Sequence, residues 1–175
     1  NDGSVKNSSA TGSAKISSST AGAGYGGLVG DNYKTITHSY ANVTVSVSKN
    51  VGDAGGLVGF NPGTIQNSYA TGSVSGAYFD GGLVGVNYGK VQYCYSTGVA
   101  SGTSTGGLIA LGDKYDGGST TDSYWDKTAS GLNSSNDGTG LTTSQMQGSA
   151  ALTNMTGFDF TNVWKTNTGG YPTLR

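Results

Sequence analysis

The sequence predicts an all-β fold: a parallel β-helix (β-solenoid) of about five coils, ended by an irregular, aromatic-rich C-terminal cap with room for one short helix. Three observations predict it. First, Gly-Gly-Leu-Val-Gly occurs at 26–30, 55–59 and 81–85, and Gly-Gly-Leu-Ile-Ala at 106–110, so the copies start 29, 26 and 25 residues apart. A fixed period of this size marks a repeat architecture. Second, another motif follows at near-constant offset: Thr35-Ile-Thr-His-Ser-Tyr-Ala41, Thr64-Ile-Gln-Asn-Ser-Tyr-Ala70 and Lys90-Val-Gln-Tyr-Cys-Tyr-Ser96. Thr120-Thr-Asp-Ser-Tyr-Trp125 is a diverged copy and Ser4-Val-Lys-Asn-Ser-Ser-Ala10 a partial one. Third, Gly, Ser, Thr and Asn supply more than half of the 175 residues and Glu is absent. Helix formers are scarce, strand propensity comes from Val, Ile, Thr and Tyr, and Gly and Asn suit frequent sharp turns.

Each repeat holds about three strand-like runs. In the clearest copy these are 56–59, 64–70 and 73–75, separated by corners at Phe60-Asn-Pro-Gly63 and Thr71-Gly72. A strand rises about 3.3 Å per residue, so such runs close a loop within one repeat. Stacked coils place like above like. Leu28, Leu57, Leu83 and Leu108 form one ladder; Ile36, Ile65 and Val91 a second; Tyr40, Tyr69, Tyr95 and Tyr124 a third; Asn32, Asn61 and Asn87 a corner ladder. Strand parity turns Ile65 and Tyr69 to one side and Ser68 and Ala70 to the other. Inward Ile is favoured. The Tyr rings are either core, the favoured placement, or an outer carbohydrate-stacking stripe.

One coil cannot bury its own apolar face, so stability is roughly a sum of nearest-neighbour terms, with about 1.5–3 kcal/mol for each buried Leu or Ile. Coils are expected near 1–25, 26–54, 55–80, 81–105 and 106–131. From 132 the pattern changes. Asn133-Ser-Ser-Asn-Asp-Gly138 is turn-rich, Thr143 is a candidate N-cap for a helix around 143–153, and aromatics gather at Phe158, Phe160, Trp164 and Tyr171. Residues 132–175 read as the capping segment, because terminal repeats must close the stack.

Charge removes partner classes. The net charge is −1, with 11% charged residues, eight scattered Lys and one Arg. Nothing suggests binding to nucleic acid or an anionic membrane, and no apolar run reaches the roughly 20 residues of a membrane span. No signal peptide is visible and the chain starts at Asn1, as expected of a processed product or a fragment. Cys94 stands in the column of Ser39, Ser68 and Ser123, as a small residue in a small slot. His38 takes the slot of Asn67.

The assembled residues resemble the GLUG-type repeats of bacterial and archaeal surface proteins, whose pattern Gly55–Val74 matches at every defined position. The copy at 81–99 departs with Tyr93-Cys-Tyr-Ser, and the copy at 26–43 with Asp31-Asn-Tyr-Lys and the loss of Thr-Gly. The resemblance implies a surface-exposed β-solenoid module of the kind found in filamentous-haemagglutinin-like adhesins and beside protease domains of immunoglobulin A peptidases. It brings no catalytic residues with it.

No catalytic, cofactor-binding or metal-binding residues are assigned, and no cofactor is expected. Asp31, Asp53 and Asp80 lie near corners, while Asp113, Asp116, Asp122 and Asp126 cluster in the fifth coil, without an Arg in the stack to hold substrate. Asp113–Gly118 and Asn136-Asp137-Gly138 offer oxygen ligands for calcium but fit neither an EF-hand nor the nonapeptide calcium repeat. Sequons stand at Asn7, Asn42, Asn133 and Asn154. The expected function is a non-enzymatic extracellular or cell-surface protein, an adhesin or stalk module with Tyr33, Tyr78, Phe79 and Tyr88 as contacts to carbohydrate or a host or neighbouring cell. The alternative is a self-assembling subunit of a fibre, sheath or surface layer. There the first coil, which lacks a Gly-Gly-Leu-Val-Gly copy and a cap, would offer open strand edges to another copy or a neighbouring repeat.

Overall fold

In a computed structural model, residues 1–17, 21–48, 50–112 and 117–175 are described. A partial coil opens the chain with β1 (Ser4–Lys6) and β2 (Ser9–Ile16). The next coil holds β3 (Gly24–Gly26), β4 (Val29–Asp31), β5 (Thr35–Thr37) and β6 (Tyr40–Val47). A second complete coil runs through β7 (Asp53–Gly55), β8 (Val58–Asn61), β9 (Thr64–Gln66), β10 (Tyr69–Ala70) and β11 (Val74–Ser75). The third has β12 (Phe79–Gly81), β13 (Val84–Asn87), β14 (Lys90–Gln92), β15 (Tyr95–Ser96) and β16 (Ala100–Ser101). The fourth has β17 (Ser104–Gly106), β18 (Ile109–Gly112), β19 (Ser119–Thr121) and β20 (Tyr124–Asp126). Among the described residues the solenoid therefore has about four coils after a partial one, slightly fewer than the five expected.

Corresponding strands pair in parallel into four sheets: β1-β5-β9-β14-β19, β3-β7-β12-β17, β4-β8-β13-β18, and a fourth through β2, β6, β10, β15 and β20 with β11 and β16 beside them. The register is the repeat register, Ile36 on Ile65 on Val91 and Val29 on Val58 on Val84. The lumen is mainly aliphatic, with Ile36, Val45, Leu57, Val58, Ile65, Leu83, Leu108 and Ile109 buried.

The Gly-Gly pair lets the coils come this close. A Cβ on Gly56 would fall on the carbonyl oxygen of Gly82 in the next coil, so no other residue fits. At the last coil the rule is put to another use. A Cβ on Gly107 would meet the indole of Trp125, which occupies the column of Ala41, Ala70 and Ser96 and fills the end of the lumen.

The motif Thr-Ile-Gln-Asn-Ser-Tyr-Ala is two strands around a corner, not one run, and this corrects the parity argument. Asn7, His38, Asn67, Tyr93 and Asp122 all have φ between 40° and 54°, a column of left-handed residues, one per coil. Asn and Asp tolerate this conformation better than most residues. The corner inverts the alternation. Ser68 and Ala70 end up buried on the lumen side with Ile65, and Tyr69 turns outward. The favoured inward placement of the Tyr rings is overturned.

The stack continues past Asp126. Here α1 (Lys127–Ser130) follows, then β21 (Thr139–Leu141) pairs in parallel with β20. The expected helix around 143–153 is two: α2 (Thr143–Met146), N-capped by Thr142 rather than Thr143, and α3 (Ala150–Asn154). Gln147 is extended and Gly148 has φ +58°, which breaks the helical path between them. An antiparallel hairpin of β22 (Trp164–Asn167) and β23 (Gly170–Leu174) ends the fold.

Candidate functional site

The outer face of the solenoid carries three groups of aromatic residues, and they differ in what covers them. The corner that turns Tyr40, Tyr69 and Tyr95 outward also aligns them, so their rings stack at 4.9 Å with interplanar angles of 5° and 2°. This outer stripe is not free. Trp164 tilts over Tyr69 and Tyr95, Tyr171 stacks on Tyr95, and Phe158 packs on both Tyr124 and Trp164. With Leu141, Met146, Ala151 and Met155 these residues form a second core outside the lumen. Burial and the neighbouring Tyr40 push the Tyr69 hydroxyl up to about 12.

The second group remains at the surface. Tyr33 and Tyr88 follow the ladder residues Asn32 and Asn87, and Phe60 meets both rings edge-on at 6.3 and 5.5 Å. The ladder holds this corner rigid. Asn1, Asn32 and Asn61 each donate their side-chain amide to Oδ1 of the next Asn, at 2.8, 2.7 and 2.7 Å. A groove of about 410 Å³ runs across the corner, lined by Tyr33, Lys34, Pro62, Gly63, Tyr88 and Lys90 among others.

A third group lies on the edge between β6 or its counterparts and the next coil. Here a cleft of about 360 Å³ is lined by Ala21, Gly22, Asn50, Val51, Gly52, Asp53, Tyr78 and Phe79. The two rings meet edge-on at 4.8 Å, and Tyr78 is 46% exposed. Asn50 accepts the Thr103 hydroxyl on Oδ1 at 2.7 Å. Burial, and then the carboxylate of Asp31, raise the Asp53 carboxyl from 3.8 to about 6. Sequence reasoning named Tyr78, Phe79 and Asp53 separately and missed Asn50, which no repeat column marks.

The remaining candidates serve the fold. Asp80 is fully buried, accepts the Ala77 amide at 3.2 Å and has no partner for Oδ2. Burial raises it to about 6, against the lowering effect of the Ala77 and Gly76 amides. Asp126 caps α1 through the Thr128 and Ala129 amides, both at 2.8 Å, and accepts the Tyr171 hydroxyl at 2.6 Å. Asp122 occupies the left-handed corner. The Cys94 thiol is buried and donates to the Gln92 carbonyl at 3.1 Å, as the Ser68 hydroxyl donates to Gln66 at 2.9 Å, and burial pushes it up to about 12. His38 shares the corner geometry of Asn67, with Nδ1 buried. Asp113 and Asp116, and with them the calcium idea for 113–118, fall outside the described residues. Among the described residues no three His, Cys, Asp or Glu come together as a metal site, and no helix is long and apolar enough to cross a membrane. Of the sequons, Asn7, Asn42 and Asn133 are exposed, and Asn154 is half-buried with its amide donating to Ala150.

Comparison with known proteins agrees with this architecture. No curated protein sequence matches the chain. Among solved structures, a crystal structure described as a "putative immunoglobulin A1 protease" from Bacteroides ovatus is similar, with a TM-score of 0.65 and 21% identity. The match covers 99% of this chain and 57% of that one, so the chain spans little more than half of its structural neighbour, and the likeness is one of fold. Residues 50–75 match the family model of the GLUG motif, and they are the β7–β11 coil described above, so the chain is a parallel β-solenoid that carries the GLUG motif.

Proposed function

We propose that the chain is a non-enzymatic module of an extracellular surface protein, an adhesin or stalk module whose solenoid holds binding groups on its outer flanks. The observation that carries this is the sorting of the aromatics. The tyrosine stack is covered by the C-terminal segment, whereas Tyr33 and Tyr88 on one flank and Tyr78 and Phe79 on another line grooves at the surface. A ladder of buried amides supports one of these grooves, and surface groups held by a rigid scaffold bind with a smaller ordering cost. Titratable groups that could do chemistry are instead spent on structure: Cys94 is sealed, and Asp80 and Asp126 bond to the backbone. The likeness to GLUG repeats supports an extracellular setting.

The test is retention of protein-coated beads under flow on cultured epithelial cells and on immobilised glycans. Retention above that of beads carrying heat-unfolded chain supports the reading, and equal retention overturns it. A self-assembling subunit is the second reading, favoured by the low charge of the chain, 11% charged residues with a net charge of −1, which leaves little repulsion between copies packed side by side. Concentration-dependent polymers in light scattering would support it, and a monomer at all concentrations would refute it.

A further inference from the structure

The column of outward tyrosines stops one place short. Tyr40, Tyr69 and Tyr95 stand in register, and the next position in that column, opposite Tyr40 in the partial first coil, is Ser9. The stacked rings are 4.9 Å apart, about the separation of neighbouring strands, so each coil adds one ring to the pile. Tyr40 has a ring neighbour on one side: among the described residues its ring contact is with Tyr69. The C-terminal roof brings no further ring to it. Trp164 tilts over Tyr69 and Tyr95, and Tyr171 stacks on Tyr95, whereas Leu174 and Arg175 lie beside Tyr40. A cavity of about 320 Å³ results, lined by Asn7, Ser9, His38, Tyr40, Leu174 and Arg175 among others. It lies where the side chain of Ser9 falls short of a ring.

The lining joins a ring to hydrogen-bonding groups. The Ser9 and Tyr40 hydroxyls and the Asn7 side-chain amide make no hydrogen bond with the described residues, and Asn7 and Ser9 are exposed. Arg175 donates Nε–H to the Trp164 carbonyl at 3.0 Å and Nη2–H to the Phe160 carbonyl at 2.9 Å. These two bonds hold the guanidinium in place and leave it further N–H donors for a ligand. Leu174 adds an apolar edge. Ligand pockets run from about 300 to 1,000 Å³, so a cavity at the small end suits one ring rather than a peptide or a nucleotide. A flat apolar ring would cover Tyr40 and leave the surrounding hydroxyls, amide and guanidinium unpaired. A pyranose meets both demands. Its C–H face lies on the negative face of the tyrosine ring, and its hydroxyls reach donors and acceptors around the rim.

We propose that this cavity binds one pyranose unit of a glycan, stacked on Tyr40 as the next ring of the pile and held by Asn7, Ser9 and Arg175. This rests on the adhesive reading above and gives it a ligand class and a site. The test is saturation-transfer NMR of the whole chain with the methyl glycosides of glucose, galactose, mannose and N-acetylglucosamine, and with indole as a flat apolar probe. At least one glycoside is expected to respond, most strongly at its ring C–H protons. Tyr40→Ala should weaken the response about tenfold. Ser9→Tyr puts the protein's own ring at that place, so it should abolish the response while the melting temperature holds or rises. Tyr88→Ala, on the other groove, should leave the response intact. Circular dichroism of each variant separates lost binding from lost fold, and Tyr40→Leu and Ser9→Leu replace any variant that unfolds. Silence from every glycoside, a response from indole alone, or an undiminished response in Tyr40→Ala or Ser9→Tyr overturns the proposal. Bead retention by the Ser9→Tyr protein tells the two readings apart. Undiminished retention leaves an adhesin that does not work through this site, and glycoside binding without any retention leaves the site without adhesion.

Discussion

The hydroxyl of Tyr95 donates to the carbonyl oxygen of Pro172 at 2.7 Å, across 77 residues of chain. It ties the middle of the tyrosine stack to the closing hairpin, in a position with almost no solvent exposure. Tyr95→Phe keeps the stacking and leaves one buried carbonyl without a donor, at a cost of about 1–3 kcal/mol. The melting temperature should fall by about 2–4 °C for each kcal/mol in a chain of this size. Tyr95→Ala also removes the ring contacts with Tyr69, Trp164 and Tyr171 and should cost about 3–5 kcal/mol. Thermal denaturation followed by circular dichroism compares the two.

Asn61 sits at the centre of the amide ladder, accepting from Asn32 and donating to Asn87. Asn61→Asp replaces a donor with an acceptor facing Asn87 Oδ1 in a buried site. It is expected to destabilise more than Asn61→Ala, which removes the two ladder bonds and leaves Asn87 Oδ1 without its donor, at about 2–4 kcal/mol. Equal urea midpoints for the two variants would show that the ladder's direction does not matter.

Gly56→Ala should prevent the coils from stacking at their present separation, since the new Cβ would fall on the Gly82 carbonyl, a backbone atom that cannot move aside. Gly3→Ala, where nothing lies within 4 Å, is the matched control and should leave the melting temperature unchanged. Soluble expression and circular dichroism of the pair test the steric argument.

Acidity should stabilise the protein over a defined window. Asp53 and Asp80 both rise from 3.8 to about 6 on folding, chiefly through burial. A raised carboxyl means the folded state holds the proton more tightly, so stability falls as pH rises from about 4 to about 6 and levels off above. The melting temperature should therefore be higher near pH 4.5 than at pH 7.5. Asp80→Asn keeps an acceptor for the Ala77 amide and removes the charge, so it should raise the pH 7.5 value and flatten the profile.

Cys94 should resist thiol reagents in the native state, because its thiol is buried and pushed up to about 12. Reaction with a maleimide is expected only after denaturant is added. Cys94→Ser should be nearly silent, given that Ser39, Ser68 and Ser123 fill the same column.

What could be read from the sequence was what repeats. The Leu28–Leu57–Leu83–Leu108 column and the Asn32–Asn61–Asn87 corner follow directly from spacing, because each coil confirms the last. Which way Tyr69 points does not, since Asn67 looks like one more strand residue until its left-handed backbone is seen. The roof over the tyrosines was equally hidden: Trp164 and Tyr171 belong to a segment that occurs once, and periodicity has nothing to say about it. For the cleft a signal existed. The spacing of 29 residues against 26 places three additional residues in one coil, and they fall in the connection of the chain that includes Asn50.

The roof over the tyrosine stack has a mechanical consequence. After crossing Tyr124, Tyr95 and Tyr69, the chain arrives with Leu174 and Arg175 beside Asn7, Ser8, Ser9, His38 and Tyr40. A pull between residues 7–9 and 174–175 would thus act at one end of the pile of coils, and its first work would be to peel the hairpin from the tyrosines. Under tension the module would lengthen by unclasping, with the aliphatic lumen shielded from load until that clasp gives way.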